Sequence, residues 1–97
     1  MSLQIFYTPR SKETLGSVYN FIQNKFGINS ANKFISKAEK IIGLIAENPL
    51  MYKATTIDET VRVAFISKQT SLFYRVKDAT IDLLFFWDNR QEPLLPQ

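Results

Sequence analysis

Residues 61–87 read VRVAFISKQTSLFYRVKDATIDLLFFW, a stretch in which two short polar interruptions separate three largely apolar runs. Each run is rich in β-branched and aromatic residues and alternates with a period of two, which is typical of strands. The interruptions are short enough to be hairpin turns. The stretch therefore predicts an antiparallel meander, with strands over 61–66, 71–77 and 80–87.

The two predicted turns set a register for this meander. Pairing Ser67 with Thr70, and Lys77 with Thr80, places apolar side chains opposite one another on one face of the sheet. We expect that face to be buried. Its members are Val61, Val63, Phe65, Leu72, Tyr74, Val76, Ile81, Leu83 and Phe85.

The same register predicts that the opposite face combines charged and apolar residues. Arg62 lies opposite Arg75, and Arg75 lies opposite Asp82. Two opposed arginines are unfavourable by up to about 1 kcal/mol unless something compensates, and Asp82 is the expected neutraliser. This face also carries Ala64, Ile66, Ser71, Phe73, Leu84 and Phe86. Two interpretations stay open: an Arg75–Asp82 ion pair on a solvated face, or a partly apolar surface that binds carboxylates or other anions.

Upstream of residue 50 the hydrophobic period is that of helices, after a weakly alternating first strand at Leu3–Tyr7. The first helix is expected to be capped by Ser11 and to end at Gly27. The second is expected to start at Asn29 or Ser30 and to end at Asn48-Pro49. Their apolar stripes comprise Leu15, Val18, Tyr19, Ile22 and Phe26, and then Ala31, Phe34, Ile35, Ala38, Ile41, Ile42 and Ile45.

The order of these elements defines the fold class. A strand, a helical hairpin and then a run of strands, beginning with a weak one at Met51–Ala54, predict an α+β domain. The helices are expected on one face of the antiparallel sheet. With no repeat and no linker, residues 1–97 are expected to form a single domain.

The composition restricts the catalytic and metal-binding chemistry that the chain can support. The chain of 97 residues has a net charge of +3 and a pI near 9.3, with no cysteine and no histidine. Disulfides, thiolate metal sites and histidine bases are therefore excluded, and any catalysis must use carboxylates, Lys, Arg or Tyr. We expect no cofactor and no metal. No signal peptide is recognisable and no apolar run approaches the ~20 residues needed to cross a membrane, so a cytoplasmic location is expected.

Several short motifs carry a resemblance to a known family. They are Arg62, Tyr74-Arg75-Val76, Ile81-Asp82-Leu83-Leu84, Arg90-Gln91-Glu92-Pro93 and, at the end of the second helix, Leu44-Ile45-Ala46-Glu47-Asn48-Pro49. In this order and spacing the chain resembles the RelE/ParE superfamily of toxins from bacterial type II toxin–antitoxin systems. The resemblance covers nearly the whole sequence and implies the compact RelE-like α+β fold.

The resemblance also implies partners and two candidate mechanisms. The chain would be a toxin, of the kind linked to plasmid stabilization, whose surface is covered by a cognate antitoxin. A homodimer or a heterotetramer with the antitoxin stays open. Members of the ParE branch inhibit DNA gyrase by binding it, whereas members of the RelE branch are ribosome-dependent endoribonucleases that cut mRNA. A degenerate, non-toxic member is a third alternative.

The resemblance separates the two branches by their site residues. Ribonuclease members combine several basic residues with a tyrosine or histidine near the C-terminus. Arg62 matches the first basic position and Arg90 matches the arginine just beyond the last strand, so these two would be catalytic in a ribonuclease. Ala64 and Ser71 stand where further basic residues are expected, and no tyrosine or histidine follows Arg90. The incomplete set favours the ParE branch.

The antitoxin- or target-binding surface is accordingly expected on the face of the sheet that carries Arg62 and Arg75. Its predicted residues are Arg62, Phe73, Arg75, Asp82, Asn89 and Arg90. Alternatively, Arg90 belongs to a solvated strand exit and pairs with Asp88 or Glu92. On the sequence alone, Arg62→Ala is expected to weaken antitoxin binding or toxicity and to leave the fold intact.

Overall fold

The computed structural model describes residues 2–56 and 58–89 of the chain. One strand and two helices precede three further strands there, in the order that the hydrophobic pattern predicts. The elements are β1 (Gln4–Tyr7), α1 (Pro9–Phe26), α2 (Ile28–Glu47), β2 (Val61–Phe65), β3 (Thr70–Val76) and β4 (Thr80–Asp88). Within those ranges no helix has the length and apolar character needed to cross a membrane.

Helix α1 begins two residues before the predicted cap. Pro9 occupies its first position, where the proline ring already holds a helical φ and the missing N–H costs nothing. The Thr8 hydroxyl accepts a hydrogen bond from the Ser11 N–H at 3.1 Å, so Thr8 is the N-cap. Ser11, the predicted cap, is a buried residue of the first turn.

Helix α2 also begins early, because a single residue separates it from α1. Gly27 has a φ of 98°, a conformation that favours glycine, and it reverses the chain direction. The predicted caps Asn29 and Ser30 therefore lie inside the helix. The predicted end is confirmed, since Asn48 follows the last helical residue as its C-cap.

The four strands of the described chain form one sheet in the order β1-β4-β3-β2. The antiparallel pairing of β2 with β3 and of β3 with β4 is confirmed. β1 pairs in parallel with β4, which requires a crossover connection, and the helical hairpin supplies one. The weak strand predicted at Met51–Ala54 amounts to one bridge, between Ala54 and Arg62.

The turn between β2 and β3 forms where predicted, but the register beyond it is shifted by one residue. The N–H groups of Ile66 and Ser67 both donate to the Thr70 carbonyl oxygen, at 2.9 and 3.3 Å. Two residues of one strand, Ile66 and Ser67, thus lie opposite a single residue of the next, Thr70, which is the pattern of a β-bulge. Arg62 consequently lies opposite Tyr74, and the predicted arginine pair is wrong.

A second bulge lies in β4. Its pairing with β3 follows the prediction as far as Leu83. Phe73 then pairs with Phe85, so Leu84 is an extra residue on β4. The bulge reverses the predicted orientation of the next two side chains. Phe86 joins the core, and Phe85 lies on the opposite face.

The two bulges together determine which side chains the helices cover. The helix-side face, packed on Phe34, Ala38, Ile42 and Ile45 of α2, consists of Ala64, Ile66, Leu72, Tyr74, Ile81, Leu83 and Phe86. The other side, here called the outer face, carries Val61, Val63, Phe65, Ser71, Phe73, Arg75, Asp82, Phe85 and Trp87. Of the core positions predicted for β2, Val63 and Phe65 are therefore wrong, and Phe65 is 60% exposed. Val61 is buried as predicted, although it lies on the outer face.

Helix α1 takes the place of a neighbouring strand along the second half of β4. β1 pairs with β4 only up to Leu83. The Thr8 hydroxyl donates to the carbonyl oxygens of Leu83 and Leu84, at 2.6 and 3.1 Å, and the Thr14 hydroxyl accepts from the Phe86 N–H at 2.8 Å. Buried backbone groups at a sheet edge need such partners. Thr8, the N-cap of α1, and Thr14, in α1 itself, thus complete the hydrogen bonding around the bulge.

Thr14→Val is expected to lower the free energy of unfolding by about 1–3 kcal/mol, because the Phe86 N–H loses its acceptor in a partly buried position. Thermal unfolding followed by circular dichroism measures this as a fall of roughly 4–8 °C per kcal/mol. Ser17→Ala is the matched control. Each hydroxyl donates to the carbonyl oxygen four residues earlier, that of Thr14 to Arg10 and that of Ser17 to Glu13. The Ser17 hydroxyl is exposed. Equal effects of the two substitutions would contradict a role for Thr14 at the bulge.

Candidate protein-binding surface

The centre of the outer face is a stack of two aromatic rings and a guanidinium group. Phe73 and Phe85 are cross-strand partners whose ring centroids lie 4.7 Å apart at an interplanar angle of 21°. The guanidinium carbon of Arg10 lies 4.8 Å from the centroid of the Phe85 ring. A cation is attracted to the negative face of an aromatic ring, so the three groups stabilise one another. We call them the Arg10 stack.

The start of α1 places Arg10 in this stack. The Thr8 hydroxyl donates to the carbonyl oxygens of Leu83 and Leu84, and these bonds hold the first turn of α1 against the bulge of β4. The same bulge puts Phe85 on the outer face, within reach of Arg10. Arg10 is exposed, and it has no acidic partner within 4 Å among the described residues. Arginine can bind a carboxylate with two parallel hydrogen bonds, so Arg10 is a candidate contact for an acidic partner.

Arg75, the arginine predicted for this surface, lies on the outer face but is already paired. Its Nη2 atom is 3.3 Å from Oδ2 of Asp58, and its Nε atom donates to the Thr60 hydroxyl at 3.3 Å. Hydrogen bonds from Thr60, together with Arg75, hold the pKa of the Asp58 carboxyl below its usual value. Both side chains remain more than a third exposed, so this ion pair contributes little to stability.

Asp82 has a different partner from the one that the sequence predicts. It is the cross-strand neighbour of Arg75, but its Oδ2 atom lies 2.8 Å from Nζ of Lys77. The predicted Arg75–Asp82 ion pair is therefore wrong: the loop before β2 supplies Arg75 with Asp58 instead. A binding role for Asp82 and Arg75 stays a prediction, with both charges neutralised by other side chains of the chain.

Asn89, another predicted site residue, closes the end of the sheet. Its N–H donates to the Gln69 carbonyl oxygen at 2.6 Å, and its side-chain oxygen accepts from the Ser71 hydroxyl at 3.0 Å. Its side-chain amide donates to the Lys68 carbonyl oxygen at 3.4 Å. These bonds hold the β2–β3 turn against the end of β4. The predicted site residue Arg90 and its expected pairing lie outside the described residues.

Arg62 points to the opposite side of the sheet from Arg75. Its cross-strand partner is Tyr74 on the helix-side face, and its Nη1 atom donates to the Tyr52 carbonyl oxygen at 2.5 Å and to that of Leu50 at 3.5 Å. The prediction that Arg62 and Arg75 lie side by side is wrong, because the bulge at Ile66 reverses the faces of β2. In this position Arg62 holds the segment that follows α2.

Tyr74 reinforces the same segment from the core. The hydroxyl of this fully buried residue donates to the Pro49 carbonyl oxygen at 3.0 Å. Burial raises the pKa of Tyr74 to about 12, against a smaller lowering by the Arg62 charge. The phenol therefore stays protonated at neutral pH. It can donate a hydrogen bond there, but it cannot accept a proton as a general base.

The structure thus assembles a different surface from the predicted one. Of the predicted residues, Phe73 lies at its centre, and Arg75 and Asp82 lie on the same face. Sequence reasoning missed Arg10 and Phe85. The Thr8-Pro9 pair marks a helix start, which places Arg10 in the first turn. Nothing in the local pattern reveals the bulge that brings Phe85 to it.

Known toxins resemble this chain in sequence and in fold. A family model described as the ParE toxin of the type II toxin–antitoxin system, parDE, matches residues 5–93. No curated protein matches the sequence. Several solved toxin structures share the fold at low sequence identity.

Three of these structures illustrate the range. The chromosomal ParDE system from P. aeruginosa aligns with a TM-score of 0.76 and 16% identity, over 90% of this chain and 96% of that chain. The DinJ-YafQ toxin–antitoxin complex of E. coli gives 0.65 and 12%, over 95% and 98%. The RelBE2 complex of Mycobacterium tuberculosis gives 0.64 and 16%, over 91% and 99%. At these identities the likeness shows the fold alone, and the fold is the RelE-like α+β fold that the sequence predicts.

Proposed function

The chain belongs to the ParE toxin family and is a toxin of a type II toxin–antitoxin system, and from this premise we propose that it acts by binding a target protein rather than by catalysis. DNA gyrase is the proposed target. A cognate antitoxin neutralises the toxin by covering the outer face around the Arg10 stack. Structures of toxin–antitoxin pairs with this fold support the assignment of an antitoxin partner.

The observation that carries the proposal is that the side chains of Arg62 and Tyr74 both donate hydrogen bonds to backbone carbonyl oxygens of the chain itself. A ribonuclease of this superfamily needs basic side chains and a proton-transfer group that reach the RNA. Here Arg62 donates to the carbonyl oxygens of Tyr52 and Leu50, and Tyr74 is buried with its hydroxyl bonded to Pro49. General acid–base catalysis contributes ~10²–10⁴-fold to a rate. These two groups are poorly placed to supply it.

The Arg10 stack supports binding by the outer face. A guanidinium group with no acidic partner among the described residues lies on an aromatic pair, and arginine and aromatic residues are enriched at protein interfaces. Arg10 and the half-buried Phe85 are the accessible members of the stack, and the buried Phe73 supports Phe85 from behind. Arg75, with its Asp58 pair, borders the same face.

A ribosome-dependent ribonuclease is the second candidate, and one observation favours it. Arg62 and Tyr74 are direct cross-strand partners, and both contact the segment at residues 49–52 that contains Tyr52. An arginine beside two tyrosines is the kind of group that could act on a ribose hydroxyl. Their hydrogen bonds to the carbonyl oxygens of Tyr52, Leu50 and Pro49 favour a structural role instead.

Controlled expression in a bacterial host separates the candidates. Growth arrest with SOS induction and stalled DNA synthesis is the expected result for a gyrase inhibitor. Growth arrest with rapid mRNA cleavage on ribosomes would overturn the proposal in favour of the ribonuclease. Normal growth would show a non-toxic member of the family. In each case the soluble level of the chain is measured alongside, so that poor expression is not mistaken for lack of toxicity.

Tyr74→Phe is expected to leave toxicity unchanged and to lower the free energy of unfolding by about 1 kcal/mol, because it removes only the hydrogen bond to Pro49. Growth after induction and thermal unfolding are measured on the same variant. Tyr19→Phe is the control, since its hydroxyl bonds Asn32 at an exposed position. Loss of toxicity in a folded Tyr74→Phe variant would indicate that the phenol takes part in chemistry.

A further inference from the structure

The two edges of the sheet differ in how their backbone groups are satisfied. At one edge, β2 is bonded by the segment that precedes it. The Val63 N–H donates to the Lys53 carbonyl oxygen at 3.2 Å, and the Thr55 N–H donates to the Val61 carbonyl oxygen at 2.8 Å. At the other edge, β1 has no such cover along residues 5–7 in the described part of the chain. An edge strand with unpaired N–H and C=O groups is a template for another strand.

The hydrogen bonds around β1 show which of its backbone groups point away from the sheet. The N–H groups of Gln4 and Thr8 donate to carbonyl oxygens on the β4 side, at 3.4 and 3.3 Å. Because the direction alternates along a strand, the N–H and C=O groups of Ile5 and Tyr7 point to the open edge. The Leu3 N–H points there too, but it donates to a carbonyl oxygen of α2 at 2.8 Å. Among the described residues, the groups of Ile5 and Tyr7 have no hydrogen-bond partner at this edge.

The same strand leaves one large apolar side chain in solvent. Ile5 and Tyr7 pack against the core, whereas Phe6 lies beside Asp82 on the outer face and is 56% exposed. Natural edge strands are commonly protected by a charged residue or a proline, and neither occurs in residues 2–8. The open edge of β1 therefore combines unpaired backbone groups with an exposed aromatic ring.

We propose that β1 pairs antiparallel with β1 of a second copy of this chain, around a two-fold axis at Phe6. In this register Ile5 of one copy and Tyr7 of the other exchange two hydrogen bonds, and the axis generates a second such pair. The two Phe6 side chains face each other at a non-hydrogen-bonded position, where opposed side chains lie closest. A second copy is favoured as the occupant because this one register satisfies the open backbone groups and covers the exposed ring.

The pairing makes one continuous sheet from the sheets of the two copies. Since the two-fold axis is perpendicular to that sheet, both outer faces lie on the same side and present two copies of the Arg10 stack. The contact consists of a short ladder and two rings, which corresponds to a weak, concentration-dependent dimer. The inference goes beyond the proposed function and does not depend on it.

Single cysteines test the register, because the chain has no cysteine of its own. Opposed residues at a non-hydrogen-bonded position have Cα atoms about 4.5 Å apart, within the range that a disulfide spans. Phe6→Cys is therefore expected to form a covalent dimer when oxidised glutathione converts the two thiols to a disulfide and is itself reduced. Gln4→Cys is the matched control on the same strand and face. The register places Gln4 opposite Thr8, so its two copies are too far apart to be bridged.

Sedimentation velocity measures the association without a cross-link. The natural chain is expected to shift from monomer to dimer as its concentration rises. Phe6→Lys is expected to weaken the dimer at least tenfold, because it places like charges opposite each other across the axis. Phe65→Lys is the control, since Phe65 is a similarly exposed aromatic residue, at 60%, on the covered edge strand β2. It is expected to leave the dimer unchanged, and circular dichroism verifies that each variant keeps its fold.

A natural chain that stays monomeric at every concentration would overturn the inference, and the open edge would then await a strand from another protein. Equal losses for Phe6→Lys and Phe65→Lys would also overturn it. So would equal cross-linking of Gln4→Cys and Phe6→Cys, which indicates random collision or another register. These outcomes are independent of the growth assay: a monomeric chain that arrests growth through gyrase keeps its proposed function, and a harmless chain that dimerises through β1 keeps only the inference.

Discussion

Arg10→Glu is expected to weaken antitoxin binding by about 10- to 100-fold and to reduce toxicity strongly, while the protein stays folded. The guanidinium group is exposed on the Phe85 ring and has no acidic partner in the described chain. A hydrogen bond to a charged group contributes about 1.5–3 kcal/mol, which corresponds to that range in affinity. Calorimetry with the purified cognate antitoxin measures the first effect, and growth after induction measures the second.

Lys12→Glu is the control for Arg10→Glu. It reverses the same charge two residues later on the same helix, at an exposed position. Long-range attraction between a basic toxin and an acidic antitoxin would respond to both substitutions alike. A specific contact at the Arg10 stack responds only to Arg10→Glu. Equal losses for the two variants would therefore remove Arg10 from the binding site. Loss of the cation–π contact is expected to lower stability by no more than about 1 kcal/mol.

Arg62→Met is expected to lower the free energy of unfolding by about 1.5–3 kcal/mol, because the Tyr52 carbonyl oxygen loses a charge-assisted donor. Methionine retains the apolar stem of the side chain, so the measurement isolates the guanidinium group. In a domain of this size the unfolding midpoint should fall by roughly 4–8 °C for each kcal/mol. This reverses the expectation from sequence, which placed Arg62 on the binding surface with no role in the fold.

Arg75→Met provides the comparison for Arg62→Met. Its ion pair with Asp58 is more than a third exposed and screened by solvent, so a much smaller loss of stability than for Arg62→Met is expected. The two arginines lie on adjacent strands and differ in the face that they occupy. If Arg62→Met keeps full stability but loses toxicity, the guanidinium group acts on the target. The ribonuclease alternative would then regain its first basic residue.

The local pattern of the sequence was sufficient to predict the helices and strands and their order along the chain. Period-two runs with short polar interruptions located the meander, and the helical stripes located both helices. The turn at Asp78-Ala79 also predicted the pairing near Lys77 correctly, since the Lys77 N–H donates to the Thr80 carbonyl oxygen at 2.9 Å. Such features arise from neighbouring residues, whose preferences are readable without knowledge of the rest of the chain.

The side of the sheet on which each strand residue lies could not be predicted in the same way. Both Phe85 and Phe86 are suitable core residues, so hydrophobicity alone does not choose between them. The choice depends on the bulge at Leu84, where the hydroxyls of Thr8 and Thr14 bond the backbone of β4. Those threonines precede the bulge by some seventy residues, and no local pattern relates them to it.

The sequence by itself determined the fold class, the order of the elements and the family, because these follow from periodicity and from motifs in their order along the chain. Only the tertiary structure decided which arginine faces outward. Side chains alternate strictly along a strand, so one extra residue reverses every side chain beyond it. The bulge at Ile66 moved Arg62 from the expected binding face to the helix side. The bulge at Leu84 brought Phe85 to the outer face, where it meets Arg10, a helical residue.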